Sequence, residues 1–169
     1  GSPIGMRRAV ATDSVMDVQL ERLGTQRWLR VQRPADRVWE QVKTFWTTNG
    51  FVLAEENLDL GLMETDWAEN RAKIPQEGIR KWLGKAMDTA YSTSERDKFR
   101  TRLEPSADGK STEIYISHRG VVEEFTSSRK DQTMWQPRPP DAELEAEFLR
   151  RLMVRFGVEE TRAKAQVGT

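Results

Sequence analysis

The sequence predicts an α+β domain in which a C-terminal helix packs across one face of an antiparallel β-sheet. Several short segments alternate apolar and polar residues, which is the pattern of half-buried antiparallel strands. Two longer segments instead repeat apolar residues at helical spacing, one early in the chain and one after the strands. Runs of strands flanked by an early helix and a terminal helix are typical of α+β layer folds.

The first predicted elements are a strand, a helix and a hairpin. Residues 28–32 alternate large and polar side chains, which predicts a strand. In the helix that follows, Pro34 occupies the favoured first position and Asn49-Gly50 supplies the end signal. Two further strands, 51–55 and 61–67, are joined by a short turn and predict a β-hairpin. The apolar stripe of the helix consists of Val38, Trp39, Val42, Phe45 and Trp46.

A polar insertion, residues 68–95, separates this hairpin from the rest of the predicted sheet. Within it, apolar residues at helical spacing predict a short amphipathic helix from about Gln76 to Ala90. Beyond the insertion, Phe99, Thr101 and Leu103 alternate with basic residues, as in a strand with one buried face. Because loops carry function more often than packed strands do, the insertion is a candidate contact surface.

A long strand, a short strand and a helix complete the predicted domain. Residues 112–125 predict the long strand, and residues 133–136 predict a last strand that ends at the prolines after it. Asp141 caps the terminal helix, 142–156, which is expected to lie across one face of the sheet. The predicted order is β-α-β-β-(α)-β-β-β-α, which is a helix-grip-like arrangement.

The predicted boundaries place one domain at residues 27–158. Residues 1–26 lack sustained periodicity and are expected to be a flexible N-terminal segment, and residues 159–169 are expected to be a C-terminal tail. The opening residues, Gly1 to Met6, are typical of a cloning scar. Any signal peptide or lipid-attachment cysteine is therefore expected to lie upstream of this sequence.

Charge and cysteine content exclude several classes of function. Lys and Arg total 27, Asp and Glu total 27, and the two signs are interleaved along the chain. Nucleic-acid binders and polybasic membrane-surface helices need a basic excess or stripe, so neither is predicted. Because the chain has no cysteine, thiolate nucleophiles, disulfides and cysteine-ligated metal sites are excluded.

The remaining chemistry-bearing residues are best explained as structural. His118 is the only histidine, so a Ser-His-Asp site or a two-histidine metal site has no support. It shares a strand face with isoleucines, which predicts a position in the core or at its edge. Glu64, Asp66 and Glu69 are carboxylates of the kind that hydrolases and cation sites use, but a solvated strand face explains them. No catalytic, cofactor-binding or metal-binding residue is predicted.

Three stretches of the sequence are similar to those of one known family. They are Leu29-Arg30-Val31 through Pro34-Ala35-Asp36-Arg37-Val38-Trp39 to Asn49-Gly50-Phe51; Leu62-Met63-Glu64-Thr65-Asp66-Trp67 with Asn70-Arg71; and Arg100-Thr101-Arg102-Leu103 before an Asp-Gly turn. Together they resemble the BamC, or NlpB/DapX, lipoproteins over about residues 28–157. The insertion is longer than in the family's pattern. The chain is expected to be the first globular domain of such a protein or a one-domain relative.

The resemblance implies a non-catalytic accessory lipoprotein, a scaffold in the machinery that assembles β-barrel proteins in the Gram-negative outer membrane. It implies protein partners, mainly BamD and BamA, a position at the periplasmic face, and membrane contact only through a lipid anchor outside this sequence. It implies no cofactor. The alternative is a helix-grip carrier of a small molecule or lipid, which needs a cavity between sheet and helix.

Five residues are candidates for partner binding: Trp67, Asn70, Arg71, Trp82 and Trp135. Trp67 and Trp135 each end a predicted strand, where a ring either seals the edge of the core or anchors a partner. The sealing role is the favoured interpretation for both. Trp82 faces the same choice on the inserted helix, with neither interpretation favoured. Asn70 and Arg71 follow the Thr-Asp-Trp stretch that carries the resemblance.

Overall fold

Eight strands and three helices form the part of the chain that a computed structural model describes, which is residues 17–69, 94–126, 128 and 132–168. In chain order they are β1 (Val18–Leu23), β2 (Gln26–Val31), α1 (Ala35–Thr48), β3 (Leu53–Asn57), β4 (Leu62–Thr65), β5 (Ala68–Glu69), β6 (Glu95–Pro105), β7 (Thr112–Phe125), β8 (Thr133–Arg138), α2 (Ala142–Arg155) and α3 (Glu160–Gly168). The helix predicted inside the insertion lies outside the described residues.

All the strands belong to one open antiparallel sheet, which confirms the predicted α+β class. Their order across the sheet is β1-β2-β7-β6-β4-β3, with β5 paired to β6 and β8 paired to β7. The β6–β7 hairpin is its centre, and its register runs without a break from Glu95 opposite Val122 to Pro105 opposite Thr112. Because this pairing is long and continuous, the β6–β7 hairpin forms the central part of the sheet, and the other strands pair on either side of it.

Strand alternation divides the sheet into two chemically different faces. On β6 and β7, Phe99, Leu103, Ile114 and Ile116 are buried beneath the helices, as the alternation predicts. The intervening residues point to the other side, which carries charged and aromatic side chains and which none of the described helices covers. We call this side the open face; its central residues are Lys98, Arg100, Arg102, Tyr115, Ser117 and Arg119.

Aromatic rings fill the space between the sheet and the helices. Trp46 of α1 is fully buried, and its ring centroid lies 5.2 Å from Phe99 of β6 and 5.3 Å from Phe148 of α2. Its indole Nε1 donates a 2.8 Å hydrogen bond to Thr101 Oγ1, which satisfies the one polar atom of the ring. Phe51 packs against the same rings. The sequence predicted this aromatic stripe correctly on α1.

The cap of α2 and the end of α1 lie where local chemistry predicted them, whereas Pro34 is the N-cap of α1 and not its first residue. The Asp141 carboxylate accepts hydrogen bonds of 3.0 Å from the Glu143 amide and 3.1 Å from the Leu144 amide, which confirms it as the cap of α2. At the end of α1, Gly50 adopts φ 90°. The Phe51 amide still donates to the Trp46 carbonyl, so β3 begins at Leu53 instead of at the predicted residue 51.

The folded unit extends past both predicted domain boundaries. Strand β1 lies inside the segment that was expected to be flexible, and it pairs with all six residues of β2. Helix α3 lies inside the expected tail, with Ala163 and Val167 buried. Arg22 of β1 donates to the carbonyls of Gln166 and Val167, a cation at a helix C-terminus. Helix α3 depends on tertiary contacts, so local patterns did not reveal it. Strand β1 instead forms a hairpin with β2 across the turn Gly24-Thr25, where Gly24 adopts φ 63°, and the sequence prediction missed this local signal.

Two predicted strand limits were wrong for identifiable reasons. Ala68 and Glu69, assigned to the insertion, form β5 and pair with Asp97 and Arg96 of β6. Strand β8 continues through Pro137 to Arg138, although the prolines were expected to end it at residue 136. Since β8 pairs only with β7, the missing N–H of the proline faces away from any described strand, as it does at sheet edges.

A buried polar cluster joins three strands to the start of α2. His118 of β7 is 2% exposed, which confirms its predicted place in the core. Its Nδ1 accepts a 2.9 Å hydrogen bond from the Asp141 amide, so the ring proton is on Nε2, which donates to Asp97 Oδ1 at 2.6 Å. Arg138 of β8 donates to the same Asp97 oxygen. The His118 amide also donates to Glu145 of α2 at 2.9 Å.

Gly120 leaves the space that Arg138 occupies in this cluster. A Cβ atom at position 120 would lie 2.6 Å from Arg138 Nη2, 2.8 Å from its Cζ and 2.9 Å from His118 Cε1. We therefore expect Gly120→Ala to lower the free energy of unfolding by about 1–3 kcal/mol, because the guanidinium must leave Asp97 or the strand must shift. Urea unfolding measures the change. Gly168→Ala is the control, since no atom lies within 4 Å of its added Cβ, and equal midpoints for the two variants would contradict the packing argument.

Candidate functional site

The open face places basic and aromatic side chains from neighbouring strands side by side. On β6 the buried residues Phe99 and Thr101 alternate with outward-pointing basic residues. The register then sets Lys98 opposite Arg119, Arg100 opposite Ser117 and Arg102 opposite Tyr115. The sequence predicted which residues of each strand share a face, but not these cross-strand pairs.

Two of the predicted partner-binding residues, Trp67 and Trp135, lie on the open face. Lys98 Nζ is 4.8 Å from the centre of the Trp67 ring, and Arg96 Cζ is 4.1 Å from the centre of the Trp135 ring. Trp67 follows β4 and Trp135 lies on β8, so the two rings come from opposite sides of β6. Trp67 is 38% exposed. Each ring thus leaves surface available while a cation–π contact orients it.

The other predicted partner-binding residues are Asn70, Arg71 and Trp82, and they lie outside the described residues. Their role remains a prediction. None of the helices in the described ranges combines the length and hydropathy that crossing a membrane would require.

A second aromatic group on the open face was not predicted. Trp28 of β2 stacks on Tyr115 of β7 with ring centroids 5.4 Å apart, and its Nε1 donates to Glu113 at 2.7 Å. The Arg102 guanidinium lies over the Tyr115 ring, with its Cζ 4.2 Å from the ring centre. Burial raises the pKa of Tyr115, and the Glu113 carboxylate raises it further, so the phenol remains protonated. The pairing of Leu29 with Ile114 brings these rings together, and no local pattern indicates that register.

The carboxylates first considered as possible acid or metal groups form contacts with neighbouring side chains. Glu64 forms a 2.6 Å ion pair with Lys98, and Glu69 forms a 3.1 Å pair with Arg96. Asp66 lies after the end of β4 and accepts a hydrogen bond from the Trp67 amide at 2.8 Å. Glu64 and Glu69 therefore belong to charged strand positions, as the alternation predicted, whereas Asp66 lies beyond the end of the strand in which it was predicted.

Two arginines on this face have no such contact. Arg100 and Arg119 are both exposed, and no carboxylate of the described residues lies within ion-pair distance of either guanidinium. Glu64, directly opposite Arg100, is held by Lys98 instead. The guanidinium groups of Arg100 and Arg119 therefore keep N–H donors that no carboxylate of the described residues uses.

A cleft opens next to these arginines where β2 separates from β7. The two strands pair only over Leu29–Val31 and Thr112–Ile114. Beyond that point they leave a cavity of about 360 Å³, lined by Arg27, Arg100, Arg102, Tyr115, Glu145 and Leu149 among others. Three guanidinium groups and one carboxylate around an apolar base make this a cationic recess, and the carboxylate of Glu145 already accepts from His118.

Comparison with known proteins identifies the relatives of this chain. The family model described as the outer membrane protein assembly factor BamC-like N-terminal domain matches residues 14–168. Proteins named outer membrane protein assembly factor BamC are 60% identical over 146 residues in Thiobacillus denitrificans and 60% identical over 147 residues in Accumulibacter regalis. An uncharacterized protein of Neisseria meningitidis serogroup B is 46% identical over 154 residues.

These matches cover most of the chain but a smaller share of each relative. They include 86%, 87% and 89% of this chain, and 39%, 38% and 38% of the three relatives in the same order. The chain thus spans about two fifths of the length of the relatives that it matches. A family model that matches residues 14–168, together with 60% identity over 86% and 87% of the chain, shows the family directly. The chain belongs to the family of BamC-like N-terminal domains of outer membrane protein assembly factors.

Proposed function

We propose that this chain is a non-catalytic scaffold module of an outer membrane assembly factor and that it acts by binding proteins through the open face. The observation that carries the proposal is the grouping of partly exposed tryptophan, tyrosine and arginine side chains on a face that no described helix covers. Tryptophan, tyrosine and arginine are the residue types that contribute most binding energy at protein interfaces. The names of the 60% identical relatives support the assembly role.

The proposed partners are BamD and BamA of the β-barrel assembly machinery. The proposed location is the periplasmic face of the Gram-negative outer membrane, with a lipid anchor in the full-length protein. Protein binding is favoured over the carriage of a lipid or small molecule, because rings such as Trp46, Phe99 and Phe148 occupy the space between the sheet and the helices. Centroid separations of 4.6 to 5.3 Å among them leave no room for a ligand at the centre of that space.

Co-purification of the full-length protein from envelope extracts tests this proposal. We expect the unmodified protein to recover BamD and BamA, and the double variant Trp67→Ala/Trp135→Ala to recover at least about tenfold less, since two anchors are lost. Val154→Ala is the matched control, because this 37% exposed residue lies on α2, away from the open face. Trp82→Ala forms a separate arm for the predicted contact on the insertion.

Two outcomes would contradict the proposal. Recovery of no assembly subunit by the unmodified protein would remove the adaptor role itself. Equal recovery by the double variant and Val154→Ala would remove the open face from that role. Unfolding midpoints of the purified variants show whether each is folded, so a loss of binding with an unchanged midpoint is a loss at the surface.

A further inference from the structure

We propose that the open face binds an acidic segment of a protein partner, with Arg100 and Arg119 holding its carboxylates. This inference rests on the proposed function, to which it adds the chemistry of the partner. Both guanidinium groups are exposed and lack an ion-pair partner among the described residues. A guanidinium presents planar paired donors that match a carboxylate, so carboxylate side chains are the groups that these two positions fit best.

The neighbouring acidic residues do not neutralise this site. Glu64 lies directly opposite Arg100 but bonds to Lys98 at 2.6 Å. Glu113 on β7 accepts hydrogen bonds from Trp28 and Tyr115. Glu55 lies opposite Glu64 on the edge strand β3, one strand further from Arg100. The positive charge at the centre of the sheet is thus left for a partner.

The sheet also keeps two like charges in direct opposition at this place. Lys98 and Arg119 form a cross-strand pair in the β6–β7 register. Lys98 is already paired with Glu64 at 2.6 Å, whereas Arg119 lies opposite this cation and has no ion-pair partner among the described residues, so its charge adds nothing favourable to the strand pairing. A carboxylate from a partner would pair with Arg119, which gives the residue a role in binding.

The shape beside the arginines favours a segment that carries apolar as well as acidic residues. Ser117 is small and exposed between Arg100 and the β2 side of the sheet, and it lines the cleft together with Tyr115 and Leu149. An acidic residue bound at Arg100 would place a neighbouring side chain over the apolar base of this cleft. Anionic lipid is the less favoured ligand, because Arg96, Lys98 and Arg102 are already paired with Glu69, Glu64 and Glu104, so the open face lacks the extended group of unpaired cations that a negative membrane surface requires.

Photo-crosslinking in cells tests this inference with the full-length protein. A photo-crosslinking amino acid replaces Ser117 on the open face, and the same amino acid replaces Arg37, an exposed residue of α1, as the control position. We expect a crosslink from position 117 to a protein segment rich in Asp and Glu. Arg100→Glu/Arg119→Glu should reduce its yield by at least about tenfold, and Arg37→Glu should not. Reversing the charge of the captured segment should restore it.

The outcomes separate this inference from the proposed function. Unchanged crosslinking in Arg100→Glu/Arg119→Glu, or a crosslink to lipid only, would overturn the inference even if BamD and BamA still co-purify. A charge-dependent crosslink to an acidic segment of a protein outside the assembly machinery would support the inference and contradict the proposed function. Because both arginines are exposed, Arg100→Gln/Arg119→Gln should retain the unfolding midpoint and should still weaken the crosslink, which excludes misfolding as the cause.

Discussion

Replacing Trp46 with alanine is expected to lower the free energy of unfolding by about 3–5 kcal/mol. This ring is fully buried at the junction of α1, α2 and β6, and it contacts Phe99, Phe148 and Phe51. Its removal leaves a cavity that three rigid rings cannot close, and it takes the hydrogen-bond donor away from buried Thr101. Since whole domains are stable by about 5–15 kcal/mol, the loss is a large part of the total.

Urea unfolding followed by circular dichroism measures this change, and two variants control it. Trp46→Phe keeps a ring in place and should cost less than Trp46→Ala, although Thr101 still loses its donor. Trp67→Ala removes the same side chain from a 38% exposed position and should cost less than about 1 kcal/mol. If Trp46→Ala and Trp67→Ala shifted the midpoint equally, the aromatic cluster would not be the centre of the core.

The second large effect is expected at Arg138, whose replacement by alanine should cost about 3–5 kcal/mol. Asp97 is fully buried, and its charged neighbour in the cluster is Arg138, which donates to Oδ1. Without the guanidinium, the hydrogen bond from His118 is the one that the described residues still donate to this carboxylate. A buried carboxylate that loses its counter-charge is strongly destabilising because burial has already removed its hydration.

A double-mutant cycle distinguishes lost charge pairing from lost packing. Asp97→Asn removes the negative charge, so Arg138→Ala should cost much less in that background than in the unmodified protein. The coupling free energy expected for such a contacting pair is about 1–3 kcal/mol. Strictly additive effects in the four proteins would show that Arg138 stabilises the fold through other contacts, such as its aliphatic stem or its 3.8 Å ion pair with Glu95, and not through Asp97.

The two kinds of variant should be separable because the sheet keeps stability and surface chemistry on opposite faces. Trp46 and the His118 cluster lie on the helix-covered side, whereas Arg100, Arg119 and Trp67 lie on the open face. Changes on the open face should therefore alter binding while they leave the unfolding midpoint nearly unchanged. Changes in the core should alter both, because the open face exists only while the strands are paired.

The elements that could be predicted from the sequence are those that are determined by residues close together in the chain. Pro34, the apolar stripe of α1 and the end signal at Gly50 lie within one continuous stretch, as do Asp141 and the amides that it caps. Strand β7 runs from Thr112 to Phe125 as its alternation predicted. Alternation also identified which residues of a strand share a face, because side chains along a strand point to its two sides in turn.

Tertiary structure determined the features that depend on the order and register of the strands. Helix α3 is held by contacts with distant residues, and the cluster of Asp97, His118 and Arg138 joins three strands. The pairings that set Arg100 beside Ser117 and Trp28 beside Tyr115 are likewise fixed by register. Residue propensity and hydrophobic periodicity indicate the secondary structure of one segment and which of its sides is buried. They do not indicate which strand will lie beside it. The set of residues that form the open face could therefore be identified only from the tertiary structure.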